Sequence, residues 1–237
     1  MAGCTTREKI YEDNANRSFL IYLDESIEQD QRIMEYQRAV SSGEINYEQE
    51  RAATELLQNC QRILAPVAVR NPYARKLYLP TEVLKPRRTN NHYLQFIEAV
   101  TFYKQHQREQ QTDKATGEIY IETTLEDIAE ANQLLAPVLL RKSDTLTGAC
   151  RNYFESLKLY LIGQKVKPFT NRDISLILRI PITTIKSYHL QLFNTGYLKY
   201  TKESKGKAHL YEVVSYEEYE QLQKQITTVL DNSLSEL

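Results

Sequence analysis

Tryptophan is absent from this 237-residue chain, glycine occurs seven times and cysteine three times. So few glycines make tight glycine-rich loops scarce. Cys4, Cys60 and Cys150 are far apart and odd in number, which argues against a disulfide framework and against a zinc site. No apolar run reaches the ~18 residues that a membrane-spanning helix needs. The opening stretch MAGCTTREKIYED lacks the charged-then-apolar layout of a signal peptide. A reducing cytoplasm, with no membrane partner, is therefore the expectation. Enzyme signatures are missing too. There is no G-x-x-x-x-G-K-[ST], G-x-S-x-G, H-E-x-x-H or C-x-x-C. His92, His106, His189 and His209 show no paired ligand spacing. Asp24 and Glu25 follow an apolar run, as at a metal-binding strand end. With no phosphate-binding loop ahead of them, a solvated helix start at Ser26 is the preferred reading. No cofactor, metal or catalytic residue is expected.

What the chain does have is an uneven distribution of charge. The formal net charge is −1, but the total hides blocks of opposite sign. Residues 1–60 carry 6 basic and 12 acidic side chains, and residues 61–92 carry 7 basic and 1 acidic. Residues 93–164 have a net charge of −3, residues 165–211 reach +7 and residues 212–237 fall to −5.

Periodicity gives a mainly α chain with small β hairpins. Residues 18–23 (SFLIYL) read as a strand or a buried helical start. Ile27, Ile33, Met34, Tyr36 and Val40 among charges predict an amphipathic helix over 27–41, with Gly43 at its stop. Asn46 is placed to cap a second helix running to about Ile63. Pro66, Pro72, Pro80 and Pro86 make 65–88 an irregular, partly extended connector, kept ordered by its apolar residues. Asn90 is read as the cap of a helix over 91–110. TDKATGEIYIETT reads as a turn and a short strand. Thr124, with Asp127 three residues on, caps a helix in which Pro137 marks a kink or break. Another helix covers about 144–162. Four regions follow: a helical and irregular one at 1–88, a lid-like helical one at 89–143, a domain at 144–214 and an acidic C-terminal helix at 215–237.

Residues 168–214 are the most informative. Thr170 caps a short helix, NRDISLILRI, with Asp173 reinforcing the cap, and Pro181 breaks it. A second helix, TTIKSYHLQLFNTG, ends at Gly196. Ile185, Tyr188, Leu192 and His189 share one face, while Thr183, Thr184, Lys186, Ser187 and Gln191 form a polar face. Leu190 falls between the two. YLKYTKESKGKAHLYEVV then reads as two strands around a basic tip near Gly206. Helix, short turn, helix and basic hairpin is the order of a winged helix-turn-helix, which binds DNA with its second helix in the major groove.

In that reading Thr183, Thr184, Ser187 and Gln191 face base edges or phosphates, and Lys186 and Arg172 face phosphate. Lys199, Lys202, Lys205 and Lys207 lie along the backbone. Such contacts set affinity and salt dependence more than sequence choice. The second helix has no arginine on its polar face, so modest specificity is expected. The alternatives are a protein-interaction module with a structural winged helix, its lysines a solvated edge, and a transcriptional regulator, which would be a symmetric dimer. Lys85, Arg87 and Arg88 offer another phosphate contact. A solvated loop before the 91–110 helix is the slightly favoured reading for them.

Three stretches together carry a family resemblance. They are TREKIYEDNANRSFLIYLDES with QRIMEYQRA, NPYARKLYLPTEVLKPRRTNNHYLQFIEAVTFYKQHQRE, and YIETTLEDIAEANQLLAPVLLRKSDTLT. Over about 7–160 the chain resembles the C-terminal region of primase-helicase-like proteins carried by bacterial mobile elements. There, zinc-finger and toprim primase parts and a P-loop ATPase part come first. The middle is similar to the helical lid of an AAA+ helicase. The resemblance implies an accessory role in mobile-element replication, with DNA and an ATPase or primase subunit as partners. It also implies that Arg87 or Arg88 contacts nucleotide phosphate in trans. Because the zinc-finger, toprim and ATP-binding motifs are missing, the chain is expected neither to hydrolyse ATP nor to make primers by itself.

Overall fold

A computed structural model describes residues 18, 19, 21, 27–80, 83, 86–164, 168–201 and 209–237. Of these, 65% are helical and 8% lie in strands, a mainly α chain with small sheets. No helix among the described residues is long and apolar enough to cross a membrane. The chain divides into two compact units, and each contains segments distant in sequence.

One unit comprises 21–77, 90–133 and 233–237. Helix α1 (Ile27–Ser42) ends at Gly43, whose φ of 77° is a left-handed conformation that costs glycine little. Helix α2 (Tyr47–Arg62) starts where the Asn46 side chain accepts the Glu48 N–H at 3.0 Å. The described part of the 65–88 segment includes regular structure where the sequence suggested an irregular connector. It contains strand β1 (Ala68–Arg70), a 3-10 turn at Ala74–Lys76 and the first residues of a helix. Strand β3 (Ile119–Glu122) is central in a three-stranded sheet. It pairs parallel with β1, Val69 opposite Ile121, and antiparallel with β2 (Gln111–Thr112).

Helix α3 (Pro86–Tyr103) begins four residues before the Asn90 cap read from sequence. Proline suits the first turn, where its missing N–H has no partner to lose, so Asn90 lies inside the helix. The helix stops at Tyr103 instead of 110 and continues as a 3-10 turn, Gln105–Gln107. Helix α4 (Leu125–Ser143) is capped as expected. Thr124 N–H donates to Asp127 at 3.0 Å and the Asp127 N–H donates back to the Thr124 hydroxyl. Pro137 does not break it; the helix carries the missing hydrogen bond, with Leu135, Leu139 and Leu140 buried on either side. This unit buries Leu77, Tyr93, Ile97, Ile121, Ile128 and Ala131. The Tyr93 hydroxyl donates to Asn132 at 2.7 Å, which satisfies a buried polar group.

The other unit comprises 1–20, 78–89 and 134–232. Helix α5 (Gly148–Gln164) starts four residues later than 144, because Asp144 turns its carboxylate onto the Leu146 N–H at 3.0 Å. Helices α6 (Asn171–Leu178) and α7 (Ile182–Asn194) follow, then strands β4 (Leu198–Tyr200) and β5 (Tyr211–Val213) and helix α8 (Glu218–Ser235). One core joins Phe154, Leu157 and Leu161 of α5 with Ile174, Ile185 and Leu192 and with Leu198, Tyr211 and Val213 of the hairpin. Burial of this many apolar side chains is the main force holding α6, α7 and the strands together.

Candidate nucleic-acid interface

Helix α6 starts with a complete capping box. Thr170 Oγ accepts the Asp173 N–H at 3.2 Å, and the Asp173 carboxylate accepts the Thr170 N–H at 3.1 Å. The helix stops because Arg179 turns left-handed, φ 55° and ψ 31°. A side chain other than glycine is uncommon there. The Ser175 hydroxyl closes the turn by donating to the Ile180 carbonyl at 2.7 Å. Pro181, read from sequence as the breaker of this helix, instead stands at the N-cap of α7 and opens the second one. At the far end Gly196, φ 82°, releases the chain into β4.

Helix α7 sorts its side chains as the apolar spacing requires. Ile185, His189 and Leu192 are fully buried and Tyr188 is half-buried. Thr183, Lys186 and Ser187 are exposed, while Thr184 and Gln191 are half-buried at the flank of that face. No acidic residue occurs on α7. Arg172, exposed in the first turn of α6, and Lys186 have no acidic partner among the described residues. Leu190, 59% exposed, belongs to the outer surface.

His189 fixes the register of α7. Its Nδ1 lies 2.5 Å from Asn171 Oδ1 and its Nε2 lies 2.5 Å from the Tyr153 hydroxyl. Asn171 Oδ1 can only accept, so Nδ1 carries the proton and Nε2 accepts from the tyrosine. The rings of Phe169 and Tyr211 pack around it, at 5.5 and 4.9 Å between centroids. Burial lowers the His189 pKa to about 4, so the ring is neutral. Burial also pushes the Tyr153 hydroxyl well above its ordinary range. One polar cluster thus ties α7 to α5 and α6.

The two strands pair antiparallel as expected, with Lys199 opposite Glu212 and Tyr200 opposite Tyr211. Phe169 exchanges two backbone hydrogen bonds with Tyr211, at 2.9 and 3.1 Å, along the other edge of β5. The Lys199 ammonium sits 3.2 Å from the Glu212 carboxylate. Lys202, Lys205 and Lys207 lie outside the described residues, as does Lys85. Arg87 and Arg88 are exposed in the first turn of α3. Cations there face the positive end of the helix dipole, which an anion would relieve.

A buried charge cluster stands beside this region and has no motif in the sequence. Arg151 of α5, 1% exposed, donates to both oxygens of Asp144 at 2.7 and 2.8 Å. It also donates to Glu155 at 3.0 Å and Glu218 at 2.9 Å. Lys158 joins Glu155, Glu218 and the Tyr216 carbonyl. Burial works against the charge on Arg151, but Asp144, Glu218 and Glu155 more than offset it and raise its pKa. The cluster binds the start of α8 to α5. Its local signals were the i, i+4 spacing of Arg151 and Glu155 and the i, i+3 spacing of Glu155 and Lys158.

Among the described residues no group of three or more His, Cys, Asp or Glu is arranged to hold a metal ion. Comparison with protein-family models, with curated proteins and with solved structures finds no match.

Proposed function

We propose that residues 144–214 form a winged helix-turn-helix that binds DNA. The observation that carries the reading is the outer face of α7. Thr183, Lys186 and Ser187 are exposed on a helix without an acidic residue, inside a segment of net charge +7. A helix of this kind fits the major groove, and its hydroxyl and ammonium groups match phosphate and base-edge acceptors. Arg172 adds a cation on α6, and Lys202, Lys205 and Lys207 add three in the segment between β4 and β5. The segment between residues 7 and 160, with its resemblance to a primase-helicase C-terminal region, supports a non-catalytic accessory role in mobile-element replication. That role is exercised in the cytoplasm beside an ATPase or primase subunit.

Fluorescence anisotropy with labelled duplex and single-stranded DNA across a salt series tests this. The expected result is preferential duplex binding that weakens steeply with salt. No binding at low salt overturns it.

A second reading rests on a specific observation. Leu176, Ile177, Ile182 and Leu190 are exposed on α6 and α7, with Leu176 at 70%. Exposed apolar side chains on both helices suit a protein-interaction module in which the winged helix is structural. Loss of a protein partner, with DNA affinity absent from the start, is the outcome that selects it.

A further inference from the structure

Among the described residues the left-handed backbone positions are held by Gly43, Gly117 and Gly196, and by Arg179. Arg179 is the exception, because it carries a Cβ into a region where an L-residue crowds the next carbonyl. Glycine or asparagine stops a helix there at lower cost. Residues held in such sparsely populated conformations gather at functional sites.

The surroundings of Arg179 fix where it points. Leu178 and Ile180, its neighbours on either side, pack against the core shared by α5, α6, α7 and the hairpin. The Ser175 hydroxyl holds the Ile180 carbonyl at 2.7 Å. Arg179 itself is exposed, and no carboxylate pairs with its guanidinium among the described residues. The one acidic residue of α6, Asp173, is committed to the capping box, where it accepts from the Thr170 N–H at 3.1 Å and from the Thr170 hydroxyl at 2.8 Å. Helix α7 has no acidic residue to offer. Arg179 stands three positions before Ile182, the first residue of α7, so its Cα is within about 11 Å of that helix end. Thr183 and Lys186, exposed on the outer face of α7, begin at the same end.

We propose that Arg179 is a DNA-phosphate contact made by the turn between α6 and α7. The contact presupposes that residues 144–214 bind DNA, as proposed above, and adds a cation that lies on neither the polar face of α7 nor the hairpin. In a helix-turn-helix the second helix enters the groove by its N-terminal residues while the first crosses the backbone. The turn between them is thereby set beside phosphates instead of base edges. A guanidinium suits that place, since its planar fork of donors matches two phosphate oxygens at once. Leu178 and Ile180 hold the backbone of the turn before DNA arrives, which leaves less to be ordered on binding. A contact of this kind adds affinity and salt dependence and carries no sequence preference.

Fluorescence anisotropy of the full chain with two labelled duplexes of unrelated sequence, across a salt series, tests it. Arg179→Asn removes the charge and keeps a residue that tolerates the left-handed region. It is expected to weaken binding about 3–10-fold, alike on both duplexes, and to make the slope of log affinity against log salt shallower by about 0.9. Arg179→Lys should keep the wild-type slope, and Tm of Arg179→Asn should stay level or rise. Wild-type affinity and slope in Arg179→Asn, with the wild type binding normally, overturn this contact alone. So does a weakening confined to one duplex, an Arg179→Lys variant as weak as Arg179→Asn, or a lowered Tm, which would make the side chain a packed contact. A wild-type chain that binds neither duplex overturns the DNA-binding reading and this contact with it.

Discussion

Two arginines in this chain have nearly the same partners and very different surroundings. Arg70 in β1 donates to Asp113 at 2.7 Å and Glu118 at 3.0 Å, and stands over the Tyr120 ring at 4.0 Å. Arg151 in α5 donates to Asp144, Glu155 and Glu218 and stands over the Tyr219 ring at 4.4 Å. The Arg70 side chain is 40% exposed and that of Arg151 is 1% exposed. Partner chemistry alone would rank the two together; burial separates them. Water competes for the first cluster and screens it. In the second, losing one partner strands charge where water does not reach.

The largest effect should come from breaking the buried member. Arg151→Ala is expected to destabilise the chain by about 3–5 kcal/mol, because it leaves the buried Asp144 carboxylate without its cation. Urea denaturation measures this. A loss as small as that of an exposed ion pair would end the distinction between the two clusters.

Acid tests the same idea on a neutral group. The folded pKa of His189 is about 4, below the ordinary value of 6.5. Between those values the unfolded chain binds a proton that the folded chain refuses. The contribution is complete above pH 6.5 and is lost as pH falls towards 4, on the order of 3 kcal/mol in all. The difference between wild type and His189→Gln, measured by urea midpoints across that window, should carry this slope. Parallel curves for the two proteins would show that His189 titrates normally.

Surface charge should affect binding without affecting the fold. Lys186→Glu is expected to weaken duplex binding by about 5–10-fold while Tm stays unchanged. A lowered Tm would place Lys186 in a packed contact. The smallest effect belongs to Arg70→Ala, a Tm change within about 2 °C that fades in about 0.5 M salt. The Asp113 carboxyl, which the Arg70 hydrogen bond and the Ala115 and Thr116 N–H groups hold at about 2, should return towards its ordinary value. NMR titration of that carboxyl reads the shift.

Local signals in the sequence translated directly into structure. Thr124 with Asp127, Thr170 with Asp173, Asn46, Gly43 and Gly196 each bound a helix where their chemistry requires it. The errors came from choosing between local signals and from partners far along the chain. Asn90 looked like a cap, but Pro86 already supplied a favourable first turn. Strand β1 was hidden because its pairing, Ala68 opposite Tyr120, joins residues far apart in sequence. The Arg151 cluster was hidden for the same reason, since Glu218 lies 67 positions away. At the candidate interface the apolar side of α7 was legible from spacing, with Ile185, His189 and Leu192 buried together. The pairing of Lys199 with Glu212 was not legible because the basic block was drawn to end at 211, one residue before that carboxylate.

That pair has a thermodynamic consequence. A lysine in free solution gathers a mobile anion, and a lysine that meets a phosphate gives the exchange its entropy by sending small ions back to the bulk. Lys199 brings its own tethered anion, and Glu212 cannot leave. A polyanion arriving at this strand would swap one fixed carboxylate for another negative group and liberate little from solution. Glu212→Gln should therefore steepen the plot of log affinity against log salt by a fraction of one unit, and a count of lysines overstates how strongly ionic strength governs this surface.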